Sequence, residues 1–283
     1  MAGPILRRVW AILRATWARA ARDNLSGLAA GAAFYAFLSI FPTLSAVFSL
    51  YGLVVDPAVV DRQIAGLGGL LPANTVAFLR AWLGELAAGP PLQFGIGLAV
   101  SLLLAWWSAS SAAGMLMAAV NVCYGEGEPR GPIAFQLRAA LLAIALGLLT
   151  VIALALTAAI PETIAWLPIT QAWIDRIATV RWPLLALIAM LTLDIVYYYA
   201  PYRERPRWIP LSWGAAAATA IWLATAVGFQ AYVAAFGSYD RTYGSLSAVV
   251  VLLLWLYFGA YAALLGAELN AELDRRRVRS RPA

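Results

Sequence analysis

Five stretches of this chain carry no charge at all: Asn24 to Val55, Leu86 to Gly125, Ala139 to Ile160, Ile209 to Phe236 and Thr242 to Ala267. A sixth, Trp182 to Pro201, is interrupted by Asp194 alone. A helix needs about 20 mostly apolar residues to cross the hydrocarbon core of a bilayer. Without water there, every main-chain N–H and C=O must be satisfied within the segment, and coiling does this. The pattern predicts an all-α polytopic membrane protein, a six-transmembrane-helix bundle. Its spans run over about 28–55, 92–122, 139–160, 182–201, 209–236 and 242–267. With 63% hydrophobic and only 12% charged residues, the chain falls well short of the roughly 25% charge of soluble domains.

The basic residues, all of them Arg, give the orientation. Arg7, Arg8, Arg14, Arg19 and Arg22 precede the first span. Arg130 and Arg138 lie between the second and third, and Arg203, Arg205 and Arg207 between the fourth and fifth. Arg275, Arg276, Arg277, Arg279 and Arg281 follow the last. The three remaining loops hold only Arg62 and Arg80, Arg176 and Arg181, and Arg241. Positive charge is retained on the cytoplasmic side. The alternation predicts both termini inside, an even number of crossings, and residence in a bacterial inner (plasma) membrane.

Outside the spans, residues 5–22 predict an amphipathic interfacial helix. Leu6, Val9, Trp10, Leu13 and Trp17 fall on one face and the five Arg on the opposite one, an arrangement suited to anionic headgroups. Residues 56–91 predict two short external amphipathic helices, and 161–181, with Trp166, Ile169, Trp173 and Ile177 at spacings of three and four, a similar one. These either cap a cavity or shield the bundle. Residues 268–283 read as a basic cytoplasmic tail that meets lipid phosphates. No linker or composition shift divides the chain, so 1–283 is read as a single membrane domain.

The chain has no His and no Lys, and one cysteine, Cys123. Lack of His removes the usual general base near neutral pH and the commonest metal ligand. A single Cys forms neither an internal disulfide nor a multi-Cys metal site. No catalytic residue, metal site or cofactor is predicted. Polar groups inside the spans are the candidates for function. Asp194, set at about the middle of the fourth span with Tyr197 and Tyr198 following, reads either as a proton or cation site with tyrosine partners or as a carboxyl satisfied locally. Glu268 closes the last span and either pairs with an Arg or lines an inner vestibule. Asn121 and Ser39, the latter beside the helix-kinking Pro42, read as interhelical hydrogen bonders. Tyr243, in the outer link 239–245, reads as part of a turn or an outer gate. Gly27 with Gly31, and Ala215 to Ala218, permit close helix approach.

Ala32-Ala-Phe-Tyr-Ala-Phe-Leu-Ser-Ile-Phe-Pro42 resembles the first-span motif of the YihY / virulence factor BrkB family. Thr242-Tyr-Gly-Ser-Leu-Ser-Ala-Val, Leu254-Trp-Leu-Tyr257 and Leu265-Gly-Ala-Glu-Leu-Asn-Ala271 resemble its last-span motif, and Trp107-Ser-Ala-Ser with Asn121 its second. Asp194 departs from the family, where a hydrophobic residue is expected. The resemblance implies a six-span bacterial inner-membrane protein linked to envelope physiology, once labelled ribonuclease BN, with no agreed active site. Three functions follow as expectations. The first is a transporter or lipid- and envelope-handling protein, taking a small-molecule or lipid substrate. The second is a non-transporting scaffold for an envelope complex. The third, a membrane-bound ribonuclease, is disfavoured because the inner acids Asp23, Glu126, Glu128, Glu204, Glu268, Glu272 and Asp274 are scattered without metal-site spacing. No nucleic-acid partner is expected.

Overall fold

The structure, a computed structural model, describes residues 2–54, 91–165, 171–203, 208–235 and 246–279. Every regular element among the described residues is helical. In chain order they are α1 (Ala2–Arg22), α2 (Leu25–Val54), α3 (Pro91–Tyr124), α4 (Pro132–Ala165), α5 (Gln171–Tyr199), α6 (Trp213–Ala235) and α7 (Leu246–Arg279). Among the described residues, four stretches are long and apolar enough to cross a membrane: Leu25–Thr43, Ala99–Tyr124, Pro132–Ala153 and Val249–Val278. Pro183–Tyr199 and Trp213–Gly228 are shorter apolar helices.

Residues up to Tyr35 and from Ser110 onward form one compact unit, and Ala36–Ala109 a second. The second unit holds Ser39 and Pro42. Pro42 lies inside α2, which runs on to Val54 without a break. The Ser39 hydroxyl donates to the Ala36 carbonyl of its own helix at 2.7 Å. The expected interhelical bond from Ser39 is therefore replaced by a local one, as is common for helical serines.

The first unit shows why its helices start and stop where they do. Asn24, at φ 50°, separates α1 from α2, and its carbonyl accepts the Leu28 N–H at 3.1 Å. Asn is one of the few residues that visits the left-handed region readily. At the end of α3, Gly125 has φ 73°; its N–H reaches the Val122 carbonyl at 3.0 Å and Glu126 N–H reaches Asn121 at 3.0 Å. Those paired bonds form a Schellman cap, which suits glycine at this position. Pro132 opens α4 as its first residue, where a missing N–H costs nothing. Ser212 caps α6: its carbonyl accepts from Ala216 at 2.9 Å and its hydroxyl from Ala215 at 3.2 Å.

The core of this unit is built from small residues with a few larger ones between them. Ala29, Ala119, Ala139, Ala215 and Ala267 are fully buried, together with Leu25, Met117, Leu142 and Leu264. The tightest contact joins α6 and α7. A Cβ on Gly214 would lie 2.1 Å from the Gly266 carbonyl oxygen, and one on Gly266 would lie 2.4 Å from the Gly214 oxygen. Only two glycines let these backbones touch. Gly31 makes room for Met115 of α3, and Gly27 for the side chain of Asn24.

Two predicted boundaries move most. Helix α5 is continuous from Gln171, so residues 171–181 do not form a separate external helix. Helix α7 continues to Arg279 rather than ending at 267. Its last turns gain from pairs at helical spacing, Glu272 with Arg276 at 2.7 Å and Glu272 with Arg275 at 3.5 Å. Arg side chains also suit the negative end of a helix. The predicted external helices of 56–91 lie outside the described residues, apart from Pro91, which opens α3.

Gly214→Ala is expected to force α6 and α7 apart and cost about 1–3 kcal/mol, the range for overpacking. Gly147→Ala, in a helix interior where an added methyl meets nothing within 4 Å, is the control and should not destabilise. Thermal unfolding of the detergent-solubilised variants measures both; equal melting temperatures would refute the close crossing.

Candidate functional site: a polar cluster where helix ends meet

The ends of α3, α5 and α7 and the start of α6 come together with α1 in the first unit, and most of its buried polar groups are found there. Three connected groups of side chains form the cluster.

The first is centred on Asp194, which is only 3% exposed. It lies in the last turns of α5, near the helix end rather than the middle of a span. Its partner is Ser212 and not a tyrosine: the Ser212 hydroxyl donates to Oδ1 at 2.6 Å, and the Ser212 N–H approaches Oδ1 and Oδ2 at 3.4 and 3.3 Å. The carboxylate thus sits against the N-terminus of α6, where the helix dipole favours negative charge. Asn270 of α7 completes the group, donating to the Ser212 hydroxyl at 2.8 Å and accepting from Gly214 N–H at 2.8 Å. The Tyr197 hydroxyl donates to the Ala263 carbonyl at 2.6 Å, pinning α5 to α7. Tyr198 packs edge-on against Trp208, with centroids 5.2 Å apart. Asp194, Tyr197, Tyr198, Ser212 and Asn270 all border a cavity of about 40 Å³, enough for a few waters or a small ion.

The second group surrounds Glu268, which has no exposed surface. Arg275 donates to its Oε1 at 2.6 Å and, through Nη1, to the Cys123 carbonyl at 3.2 Å. Glu268 Oε2 has no hydrogen-bond partner. One turn on, Glu272 takes Arg19 of α1 at 3.2 Å as well as Arg276. Arg276 also donates to the Ala11 carbonyl at 3.2 Å, so α7 holds α1 at two points.

Asn121 anchors the third. Its amide donates to Glu128 Oε2 at 2.7 Å and its oxygen accepts the Tyr202 N–H at 2.8 Å. Arg130 closes on Glu128 through Nε and Nη2 and reaches the Ala200 carbonyl at 3.0 Å. Partial burial pushes the Glu128 carboxyl up, but Arg130 and Asn121 outweigh this and hold it below the usual carboxylate range. Arg203 lies 4.5 Å above the Tyr124 ring, donates to the Tyr197 carbonyl at 2.8 Å and pairs with Asp274 at 3.6 Å.

Asp194, Tyr197 and Tyr198 are thus brought together, while Asn121 and Glu268 hold neighbouring helix ends. Ser39 and Pro42 belong to the other unit, and Tyr243 lies outside the described residues. Among the described residues no three of Cys, Asp and Glu converge as metal ligands would. Sequence reasoning missed Ser212, Asn270 and Arg130. A capping signal for Ser212 was present, since Pro210 and Ser212 immediately precede the apolar run of α6.

An α-helical membrane chain of this pattern has known relatives. The chain belongs to the Virulence factor BrkB family, whose model matches residues 16–283. A UPF0761 membrane protein of Cronobacter sakazakii is 25% identical over 98% of this chain and 92% of its own length. The ribonuclease-like protein YfkH of Bacillus subtilis is 27% identical over 87% of this chain and 88% of its own. A UPF0761 membrane protein of Rhodospirillum centenum is 28% identical over 90% of this chain, which spans only 56% of that relative. No solved structure matches.

Two outcomes test the cluster. Arg275→Met strands the Glu268 carboxylate and is expected to cost about 3–5 kcal/mol, with much of the loss recovered in Glu268→Gln/Arg275→Met. An additive double mutant in thermal unfolding would exclude the pairing. For Glu128, a folded-state pKa below the unfolded one means stability that is present above about pH 4.3 and is lost as pH falls through the lower folded value. Glu128→Gln should flatten that acid limb of a melting-temperature profile; an unchanged limb would assign the acid loss elsewhere.

Proposed function

We propose that this chain is a six-span protein of the bacterial inner membrane, with both termini cytoplasmic, that handles a lipid of the envelope. Beside the polar cluster, α1, α6 and α7 line a second and larger cavity of about 540 Å³. Leu13 and Trp17 of α1, Ala217 and Ile221 of α6, and Leu265 and Leu269 of α7 line it. That cavity carries the reading. Its volume falls within the roughly 300–1,000 Å³ of ligand sites, but apart from Arg14 and Thr16 at α1 its walls are apolar, so a hydrophilic solute or an ion would lose most of its hydration there with little in return. An acyl chain loses nothing. The polar cavity at Asp194 holds about 40 Å³ and is already bonded internally, which argues against it as a route for a larger polar solute.

Placement in the membrane draws on the same residues. Leu6, Val9, Trp10, Leu13 and Trp17 of α1 are all exposed, at 49–72%. An interfacial helix would bury such a face in the headgroup region. Arg of the cluster and of α7 then lies on the inner surface, as the positive-inside rule requires. A scaffold would need neither this cavity nor its apolar lining.

Reconstituted into vesicles of phosphatidylethanolamine and phosphatidylglycerol, the protein is expected to make a fluorescent inner-leaflet phospholipid accessible to a bleaching reductant outside. No gain over protein-free vesicles would leave the scaffold reading in possession. Orientation has its own readout: in a Cys123→Ser background, Ser280→Cys should react with an impermeant maleimide only after the inner membrane is opened. Labelling from the periplasm would overturn the topology.

A further inference from the structure

Two groups in this larger cavity are not apolar. Arg14 and Thr16 of α1 both border it. By the sequence pattern Arg14 was expected on the face opposite Trp10, Leu13 and Trp17; in the structure it shares their cavity. Four residues separate Arg14 from Trp10 and three separate it from Trp17, spacings that bring helix positions side by side. Arg14 is exposed and takes part in no ion pair among the described residues, so its guanidinium is available at the cavity edge.

Thr16 is only 7% exposed, and its hydroxyl has no hydrogen-bond partner. Helical hydroxyls ordinarily return their proton to a carbonyl of the preceding turn. Here Ser108, Thr150 and Thr192 do so at 2.7–2.8 Å. Ser110 and Thr219 are unpartnered like Thr16, but neither borders this cavity. A buried, unpaired hydroxyl bordering apolar space, with an exposed guanidinium elsewhere on the same rim, is what a ligand with an acyl chain and an anionic headgroup would complete.

We propose that the cavity under α1 binds an anionic glycerophospholipid of the surrounding leaflet. One acyl chain fills the space between Leu13, Ile221 and Leu269. The Thr16 hydroxyl donates to a headgroup or ester oxygen, and Arg14 pairs with the phosphate, for which its planar fork is suited. The clamp from Glu272 to Arg19 and from Arg276 to the Ala11 carbonyl keeps α1 over the chain. The proposal deepens the lipid-handling reading and rests on it for the membrane placement of α1.

The test is native mass spectrometry of the full-length protein released from nanodiscs of mixed phosphatidylglycerol and phosphatidylcholine. Wild type should retain phosphatidylglycerol over phosphatidylcholine by about 10-fold. Arg14→Gln should reduce that preference by about 5-fold, roughly the effect of one cation at a charged lipid surface, while still retaining lipid. Thr16→Val, which keeps the shape and removes the hydroxyl, should lower retention of both lipids by about 5-fold, the scale of one hydrogen bond. Leu269→Trp, which fills the cavity, should abolish retention. Circular dichroism and monodispersity confirm that each variant folds. Equal adducts in all four proteins would mean only annular lipid and would overturn the site. Selective retention without transbilayer movement would sink the transport reading but leave the site standing. Movement without selective retention would do the reverse.

Discussion

The contact between Gly214 and Gly266 sets the position of the polar group around Ser212 and Asn270 in the first unit. With the two carbonyl oxygens and α-carbons in van der Waals reach, α6 and α7 lie too close for any side chain between them. Within a bilayer, where lipid tails are as apolar as leucine, such close backbone approach is a principal source of helix association. It also brings Asn270 of α7 within reach of the Ser212 hydroxyl and the Gly214 N–H, and it brings the Ala263 carbonyl to the Tyr197 hydroxyl. A wider spacing would lengthen all of these bonds together. The Asp194 group is thus a consequence of the crossing rather than an independent fastening.

Charge in this unit gathers at helix ends because that is where it is least costly and most useful. Glu268 is fully buried, yet Arg275 is two turns further along the same helix and reaches back to it. The desolvation penalty of such a pair approaches or exceeds its Coulombic gain, so its value lies in specificity: Arg275 bonds Cys123 of α3 in the same stroke and fixes α3 against α7. Glu272 does the same for α1 through Arg19, and Glu128 for the α3–α4 turn through Arg130 and Asn121. Glu268 and Glu272 each join two segments that the chain separates by many residues.

How much of this was legible in the sequence depends on the period of the signal. Long uncharged runs announce helices, and helices α2, α3 and α6 follow them within a few residues, while α4 starts at Pro132, ahead of its run, and ends at Ala165, beyond it. The start of α5 and the end of α7 were misplaced because Arg176, Arg181 and the acids after Glu268 were taken as marks of an interface, whereas charges at helical spacing extend a helix. Asn121 was legible as a buried amide that demands partners, but it bonds two loops rather than another helix. The partners themselves, Glu128 and Tyr202, were not, since they depend on the fold of two loops. Asp194 was legible as exceptional. Its satisfaction by Ser212, 18 positions away, depends on how α5 and α6 turn about each other, which no local pattern encodes. The Gly214–Gly266 crossing was missed for the same reason: glycine in an apolar run marks closeness without naming the neighbour.

The same accounting bears on what the membrane region can do. An ionisable residue within a span is a default suspect for transport, but a transport site must exchange its partners for a substrate. Asp194 accepts from a hydroxyl that is itself the N-cap of α6 and the acceptor for Asn270. Releasing it would uncap a helix and orphan an amide at once. A carboxylate held in that way is poorly placed to exchange its partners. The cavity under α1 is the opposite case: its lining has no internal bonds to break, and its one buried hydroxyl gains a partner when something enters. Binding there removes a penalty the empty protein carries. On this physical ground we place the proposed ligand in the greasy cavity rather than at the conspicuous acid.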